Sequence, residues 1–196
     1  KRYRLESNQK MRVVSGRLKG KSILYLKTSI TRPLKDSVKE NIFNILKHSN
    51  KINVKIENSY ILDLYAGVGS FGIECLSRGA KEVTFIEENE KVAKILNNNL
   101  KNLSILNHSK IINKKIDKLH EMEIKDKFNI LFFDPPFADN QYLKNLYLFN
   151  KNKIFEKNHV VIIHREKRSN DKFDNFFNPI IKRKYGRSMI IFGKFN

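Results

Sequence analysis

Short apolar runs alternate with amphipathic segments along most of this chain. The runs at 60–65, 83–86 and 128–133 have the length and composition of buried parallel strands. Helix-like segments at 70–78 and 89–100 follow the first two runs. Alternation of this kind is typical of βαβ units, so the pattern predicts an α/β protein built on a mostly parallel sheet.

The same cues extend the pattern toward both ends of the chain. Near the N-terminus, a glycine turn separates two short runs, and 31–33 open a helix whose apolar stripe continues to Leu46. A further helix is expected at 141–149. The remaining strands are predicted at 12–15, 22–26, 110–113, 159–164, Phe177–Tyr185 and Ser188–Phe195.

The turn after the run at 60–65 is rich in glycine. Gly67 and Gly69 permit close approaches that a Cβ would forbid, and the following helix offers free N–H groups to a ligand. With Gly72 they match the GxGxxG dinucleotide fingerprint, and Glu87 ends the next strand twenty positions after Gly67. An NAD enzyme and an S-adenosylmethionine enzyme both fit this pattern, because each needs a carboxylate for a ribose.

A second motif favours one of these two classes. The run at 128–133 stops at Asp134, Pro135, Pro136 and Phe137, and the two prolines make this turn stiff. An acid, rigid carbonyls and an aromatic ring suit a planar base with an exocyclic amine: Asp134 and the Pro135 carbonyl accept its N–H groups, and Phe137 stacks on the ring. A dehydrogenase has no evident use for this set, so the motif favours methyl transfer.

These motifs also resemble a known family. The stretches DLYAGVGSFGIE at 63–74 and DPPF at 134–137 are similar to class I, Rossmann-like S-adenosylmethionine-dependent methyltransferases that act on amino groups. The stretches at 12–21, 32–44 and 76–80 narrow the resemblance to the RsmD-type 16S rRNA guanine-N2 methyltransferases, from about Met11 to the C-terminus. The resemblance implies a seven-stranded sheet that ends in a reversed C-terminal hairpin.

The resemblance implies catalytic roles for Asp134, Pro135, Pro136 and Phe137. It also implies that the segment with Thr31 and Arg32 closes over the methionine end of the cofactor. Glu87 is preferred over Glu88 and Glu90 as the ribose ligand because it directly ends the apolar run. The sequence after the third strand differs from the usual family pattern. Here we expect the Ile116 N–H and Asp117 to contact the adenine. The predicted cofactor-binding residues are Thr31, Arg32, Asp63, Ala66, Gly67, Gly69, Glu87, Ile116 and Asp117.

Charge adds a prediction about the partner. The chain has 39 Lys and Arg against 20 Asp and Glu, a net charge of +19 that exceeds what solubility requires and suits a polyanion. Lysine and asparagine are both frequent in this chain, so a coding bias toward these residues is an alternative source of part of this excess. In the similar family the N-terminal hairpin helps bind rRNA, and a solvated charged turn is the alternative. The predicted RNA-binding residues are Arg12, Arg17, Lys19 and Lys21.

Several features limit the other classes of protein. Cys75 is the only cysteine, and the five histidines show no ligand spacing, so neither a disulfide nor a metal site is expected. No apolar run has the length of a membrane span, which predicts a cytoplasmic protein, with an organellar location open if an upstream extension was removed. We expect a monomer with a tag or extension remnant at 1–10, a hairpin and helix extension at 11–50 and a methyltransferase domain at 51–196.

The motifs predict methyl transfer from S-adenosylmethionine to an exocyclic amine, and the family resemblance implies that this amine is N2 of a guanine in small-subunit rRNA, free or in an assembling subunit. Two alternatives stay open at this point. A DNA adenine-N6 methyltransferase would use the same kind of turn for its own exocyclic amine, and an RNA-binding protein without activity would need only the basic charge.

Overall fold

A seven-stranded sheet forms the centre of the molecule, whose computed structural model describes residues 9–25, 34–122 and 124–196. Within these ranges the strands are β1 (Gln9–Arg12), β2 (Ser22–Tyr25), β3 (Tyr60–Leu64), β4 (Glu82–Ile86), β5 (Ser109–Ile112), β6 (Phe128–Phe133), β7 (Phe155–Glu166), β8 (Phe177–Tyr185) and β9 (Ser188–Phe195). The order across the sheet is β5-β4-β3-β6-β7-β9-β8.

The first five strands of this order are parallel, and β9 pairs antiparallel with both β7 and β8. The predicted α/β fold, with its mostly parallel sheet and reversed C-terminal hairpin, is therefore confirmed. The bounds of β8 and β9 agree with the prediction, whereas β7 is longer at both ends than the predicted 159–164.

Two hydrophobic layers cover the faces of the sheet, and the central strands contribute alternate side chains to them. In β3, Ile61 packs into the layer that contains the first three helices, while Leu62 and Leu64 pack into the opposite layer with the fourth. Both faces are buried, which explains why β3 and β6 read as continuous apolar runs. The helices are α1 (Asp36–His48), α2 (Ser70–Ser77), α3 (Glu90–Asn102) and α4 (Tyr142–Lys151), and Leu106–His108 and Ile116–Glu121 are short 3₁₀ segments.

Helix α1 begins later than its sequence suggests. Residues 31–33, where the helix was predicted to open, lie outside the described residues. Leu34 and Lys35 precede α1, so the prediction that the helix already includes them is wrong, and Asp36 lies in its first turn. By contrast, α3 begins one residue after its predicted start, because Asn89 caps it: the Asn89 side chain accepts hydrogen bonds from the N–H groups of Lys91 and Val92.

The N-terminal hairpin lies against α2 and α3. Its strands pair from Gln9↔Tyr25 to Arg12↔Ser22, so the first strand ends where the prediction placed its start. Val13 still pairs with Lys21 and Gly20 through its backbone, but the N–H groups of Val14 (2.8 Å) and Ser15 (2.9 Å) donate instead to the Glu74 carboxylate of α2. The division of the chain at residue 50 stays a prediction. None of the described helices has the length and apolar character needed to cross a membrane.

Candidate active site

A cavity of about 780 Å³ opens at the carboxyl ends of β3, β4 and β6, the edge at which α/β sheets bind ligands. Residues of the N-terminal hairpin, β7 and β9 complete its wall. Thr31 and Arg32 lie outside the described residues, and Gly69 does not line the cavity. The predicted residues that do line it are Asp63, Ala66, Gly67, Glu87, Ile116, Asp117, Asp134, Pro135, Pro136 and Phe137.

The glycine turn between β3 and α2 depends on left-handed backbone conformations. Gly67 has φ 56° and Gly69 has φ 87°. A Cβ at Gly69 would collide with Leu96 of α3, and one at Gly72 would collide with Phe85 of β4. Only Gly67 therefore shapes the backbone that faces the cavity, while the other two glycines let α2 pack closely against its neighbours.

Glu87 connects the end of β4 to this turn. Its Oε2 atom accepts a hydrogen bond from the Gly67 N–H (2.8 Å) and its Oε1 atom accepts one from the Asn89 N–H (2.9 Å). Burial raises the pKa of the Glu87 carboxyl, and the two N–H groups offset part of that rise. The carboxylate is held in one orientation, and its remaining lone pairs can accept the hydroxyl groups of a ribose.

Asp63 lies deeper, near the end of β3. Its side chain is almost fully buried, and Oδ2 accepts a hydrogen bond from the Gly72 N–H in the first turn of α2 (2.9 Å). Burial raises the pKa of the Asp63 carboxyl well above its ordinary value; the Gly72 N–H lowers it, and the negative charges of Asp134 and Glu87 raise it further. The acidic side chains of Asp134 and Glu87 near Asp63 favour a cation over an anion in the cavity.

The turn after β6 is fixed by a buried arginine that the sequence analysis missed. Arg165 donates to the carbonyl of Pro136 (3.3 Å) and, over a longer distance, to that of Phe137 (3.5 Å). The guanidinium also pairs with Asp171 (3.3 Å) and lies over the ring of Tyr142 (4.1 Å). The stiffness that the two prolines predict is thus reinforced by a neighbouring strand.

Two further residues of the C-terminal strands contact Asp134. His164 Nδ1 lies 2.7 Å from Asp134 Oδ1, and His164 Nε2 lies 2.8 Å from Ser188 Oγ. The imidazole also meets the Phe137 ring edge to face, with 5.4 Å between centroids. The sequence could have indicated His164, because it ends the predicted fifth strand at the same edge of the sheet as Asp134. No feature of the sequence indicated that Ser188 belongs to the site.

Tyr65 is another cavity residue that the sequence analysis did not assign to the site. It follows β3 with φ 59°, so it is not the last residue of the strand as predicted. Its hydroxyl donates to Asp139 (3.2 Å) and accepts from the Asn145 side chain (3.0 Å), which connects the glycine turn to the segment after the Pro-Pro turn. Burial raises the pKa of the Tyr65 phenol, so it stays a donor at neutral pH.

The atypical sequence after the third strand still reaches the cavity. Strand β5 ends at Ile112, and Ile116 begins a 3₁₀ segment whose first turn contains Asp117. Both residues line the cavity together with Lys115. In the described ranges no three His, Cys, Asp or Glu side chains are grouped so that they could hold a metal ion.

The N-terminal hairpin reaches the cavity through Met11 and Tyr25, whereas its basic turn lies at the other end of α2, where the Arg17 N–H donates to the Ser77 carbonyl (2.8 Å). Arg12 is mostly exposed and its Nε lies 3.7 Å from Asp36 Oδ2. The other three predicted RNA-binding residues, Arg17, Lys19 and Lys21, are exposed as well. Their position is compatible with a polyanion that approaches the cavity from outside.

The strand order, the reversed C-terminal hairpin and a carboxylate-rich cavity at the ends of β3, β4 and β6 define a class I methyltransferase. The family model described as conserved hypothetical protein 95 matches residues 11–194. The chain therefore belongs to this family, which contains the RsmD-type methyltransferases. The family predicted from the sequence is confirmed.

Three related proteins illustrate this membership. The ribosomal RNA small subunit methyltransferase D of Haemophilus influenzae is 34% identical over 159 residues, which cover 80% of this chain and 79% of that protein. A solved structure of a proposed methylase from the same organism is 27% identical, has a TM-score of 0.75 and covers 94% and 98% of the two chains. An RNA methyltransferase from Salinibacter ruber, solved with S-adenosyl-L-homocysteine, is 14% identical and shares the fold with a TM-score of 0.60 over 82% and 92% of the chains.

Proposed function

We propose that this protein transfers a methyl group from S-adenosylmethionine to the N2 amine of a guanine in small-subunit rRNA. The observation that carries the proposal is a single cavity that joins the glycine turn and Glu87 to the Asp-Pro-Pro-Phe turn. One side suits a nucleoside and the other suits a planar base, so a methyl donor and an amine would meet between them. The family relatives that are named as rRNA small-subunit methyltransferases support the substrate class.

The charges of the cavity support this cofactor over NAD. S-adenosylmethionine carries a sulfonium and an ammonium group, and it supplies an electrophilic methyl group. The negative charges of Asp134 and Glu87 raise the cost of a charge on Asp63, so a cation offsets a repulsion that the anionic pyrophosphate of NAD would increase. We assign the ribose to Glu87 and the adenine to Ile116 and Asp117, with Thr31 and Arg32 near the methionine end.

The residues of the second turn would orient the base. Asp134 has one carboxylate oxygen bound to His164 and a second oxygen able to accept from an amine. The amine lone pair of guanine is delocalised into the ring, so catalysis rests on positioning and on a negative charge beside the nitrogen as positive charge develops there. An N2 amine is paired within a helix, so the guanine must be unpaired or flipped out, where Phe137 stacks on it.

The basic hairpin would hold the RNA around this base. Arg12, Arg17, Lys19 and Lys21 are exposed on the hairpin whose Met11 and Tyr25 line the cavity, and phosphate contacts there would fix the register of the strand. We further propose that the protein acts as a monomer in the cytoplasm, on free rRNA or on an assembling small subunit.

The proposal is tested by incubating the protein with labelled S-adenosylmethionine and separate pools of rRNA, tRNA and DNA. Label in small-subunit rRNA, recovered as N2-methylguanine after digestion, is the expected result. Label in DNA as N6-methyladenine would replace the proposed substrate, and a protein that binds RNA but transfers no label to any pool would refute the enzymatic role. A thermal-shift titration should also show stabilisation by S-adenosylmethionine and none by NAD.

A further inference from the structure

A buried histidine stands directly behind the acid of the Asp-Pro-Pro-Phe turn. His164 lies near the end of β7, where its side chain is only 10% exposed. Its ring contacts both residues that we assign to the target base, Asp134 through Nδ1 and Phe137 through the ring edge. His164 also lines the cavity, on the side that we assign to the target base.

The chemistry of the two partners fixes the proton arrangement of this histidine. An ionised carboxylate oxygen can only accept a hydrogen bond, so the proton must reside on Nδ1. Nε2 then meets Ser188 Oγ at 2.8 Å, and a hydroxyl can donate to this nitrogen when the ring is neutral. The chain Ser188 to His164 to Asp134 therefore has a donor and an acceptor at each contact.

We propose that His164 is a positioning residue for the methyl transfer, which rests on the proposed function of Asp134. The Nδ1–H group holds Asp134 Oδ1, so that the other oxygen faces the cavity and the incoming amine. Ser188 in turn satisfies Nε2 and keeps the imidazole in this orientation. No proton moves from Ser188 through His164 to Asp134 in this role. The hydrogen bond from His164 restricts the rotation of the Asp134 carboxylate, and the ring contact restricts the rotation of Phe137.

The test compares two amide replacements of His164, asparagine and glutamine, with its truncation to alanine. The amide nitrogen of asparagine can take the place of Nδ1, whereas that of glutamine reaches toward the position of Nε2. His164→Ala and His164→Gln should lower single-turnover methylation roughly 10- to 100-fold, because a hydrogen bond to a charged group is lost. His164→Asn should recover most of this loss, and all three variants should bind S-adenosylmethionine as the wild type does. The exposed His48→Ala serves as the control and should leave turnover unchanged.

A nitrogen-15 NMR spectrum of the five histidines adds a measurement that needs no RNA. The signal that disappears in His164→Asn should show the tautomer with the proton on Nδ1, and this signature should change in Asp134→Ala. An Nε2–H tautomer would overturn the inference. So would equal activity of the Asn and Ala variants, or a parallel loss of cofactor binding, since that would indicate a merely structural role. Absence of rRNA methylation in the wild type would instead count against the proposed function. In that case the tautomer of His164, measured by NMR, would still test whether Nδ1–H holds Asp134.

Discussion

The two sides of the cavity are built in different ways. On the β3–β4 side, carboxylates bind backbone N–H groups that are near in sequence, Asp63 to Gly72 nine residues away and Glu87 to Gly67 twenty residues away. On the β6–β7 side, side chains bind side chains across larger separations, from Asp134 through His164 to Ser188. The first side is shaped by the backbone, and the second by a series of side chains.

This difference predicts how each side responds to substitution. Backbone N–H groups keep their positions when a side chain changes, so a variant on the β3–β4 side loses a ligand contact but little geometry. A variant on the β6–β7 side loses the orientation of its neighbours as well. We therefore expect cofactor affinity to respond on one side and turnover on the other.

The largest effect is expected at Asp134. Asp134→Ala removes both acceptor oxygens from the amine, and we expect single-turnover methylation of rRNA to fall on the order of 100-fold or more. Asp134→Asn keeps one acceptor and should lower turnover less than Asp134→Ala does, by roughly 10- to 100-fold. Cofactor affinity and melting temperature, measured beside turnover, should stay near those of the wild type. Full turnover in a folded Asp134→Ala protein would remove the residue from the mechanism.

The matching variant on the other side is Glu87→Gln. It removes the negative charge and places an amide N–H group near those of Gly67 and Asn89, so we expect the Kd for S-adenosylmethionine to rise roughly 10- to 100-fold. Once the cofactor is saturating, turnover should recover. Glu90→Gln is the control, because that exposed side chain pairs only with Lys94 in the described structure. A loss of turnover that saturating cofactor does not restore would erase the distinction between the two sides.

The next effect concerns the RNA rather than the cavity wall. Replacing Arg17, Lys19 and Lys21 with alanine should weaken RNA binding and lower the slope of log affinity against log salt by up to about 2, because fewer counterions are released. Cofactor binding should not change. Alanine at Lys47, Lys51 and Lys55 removes the same charge from exposed positions outside the hairpin. If both triple variants lower the slope equally, the hairpin has no special role in binding.

A pair of glycines tests how firmly the hairpin is attached. Gly16 and Gly20 both have φ 81°, but a Cβ at Gly16 would collide with the Ser77 carbonyl of α2, whereas none of the described atoms lies within 4 Å of a Cβ at Gly20. Gly20→Ala should cost about 1–2 kcal/mol for the backbone conformation alone, and Gly16→Ala should cost more. Denaturant unfolding of the two variants provides the comparison. Equal losses would show that the hairpin separates from α2 at little cost.

The smallest effect is a change in the pH dependence of stability at Asp63. In the folded protein its pKa is raised by burial above the value of about 3.9 in an unfolded chain. The folded state then keeps a proton that the unfolded state loses, so the free energy of unfolding falls as the pH rises from about 4 through the folded pKa. This fall should be smaller in Asp63→Asn. Denaturant titrations of both ligand-free proteins across that range measure it, and identical slopes would contradict the raised pKa.

The same contrast explains what the sequence could and could not predict. Gly67, Glu87 and Asp134 were found because each follows an apolar run, and the ends of parallel strands meet at one edge of the sheet. His164 ended such a run too, but a histidine there has many possible roles until its partners are known. Arg165 and Ser188 were missed because their contacts depend on the antiparallel insertion of β9 and on the length of β7. The start of α1 was misplaced because Pro33 suits a first helical turn, and only the fold shows that the helix begins at Asp36.

The attachment of the hairpin to α2 has a geometric consequence. Ser70, at the start of this helix, lines the cavity, and Ser77, at its end, accepts hydrogen bonds from the N–H groups of Arg17 (2.8 Å, to its carbonyl) and Leu18 (3.0 Å, to its hydroxyl). The helix has 8 residues, a length of about 12 Å, and one inserted residue would turn its end by about 100°. The length of α2 thus sets the distance between the turn of the basic hairpin, where we propose that RNA binds, and the cavity that we assign to the target base.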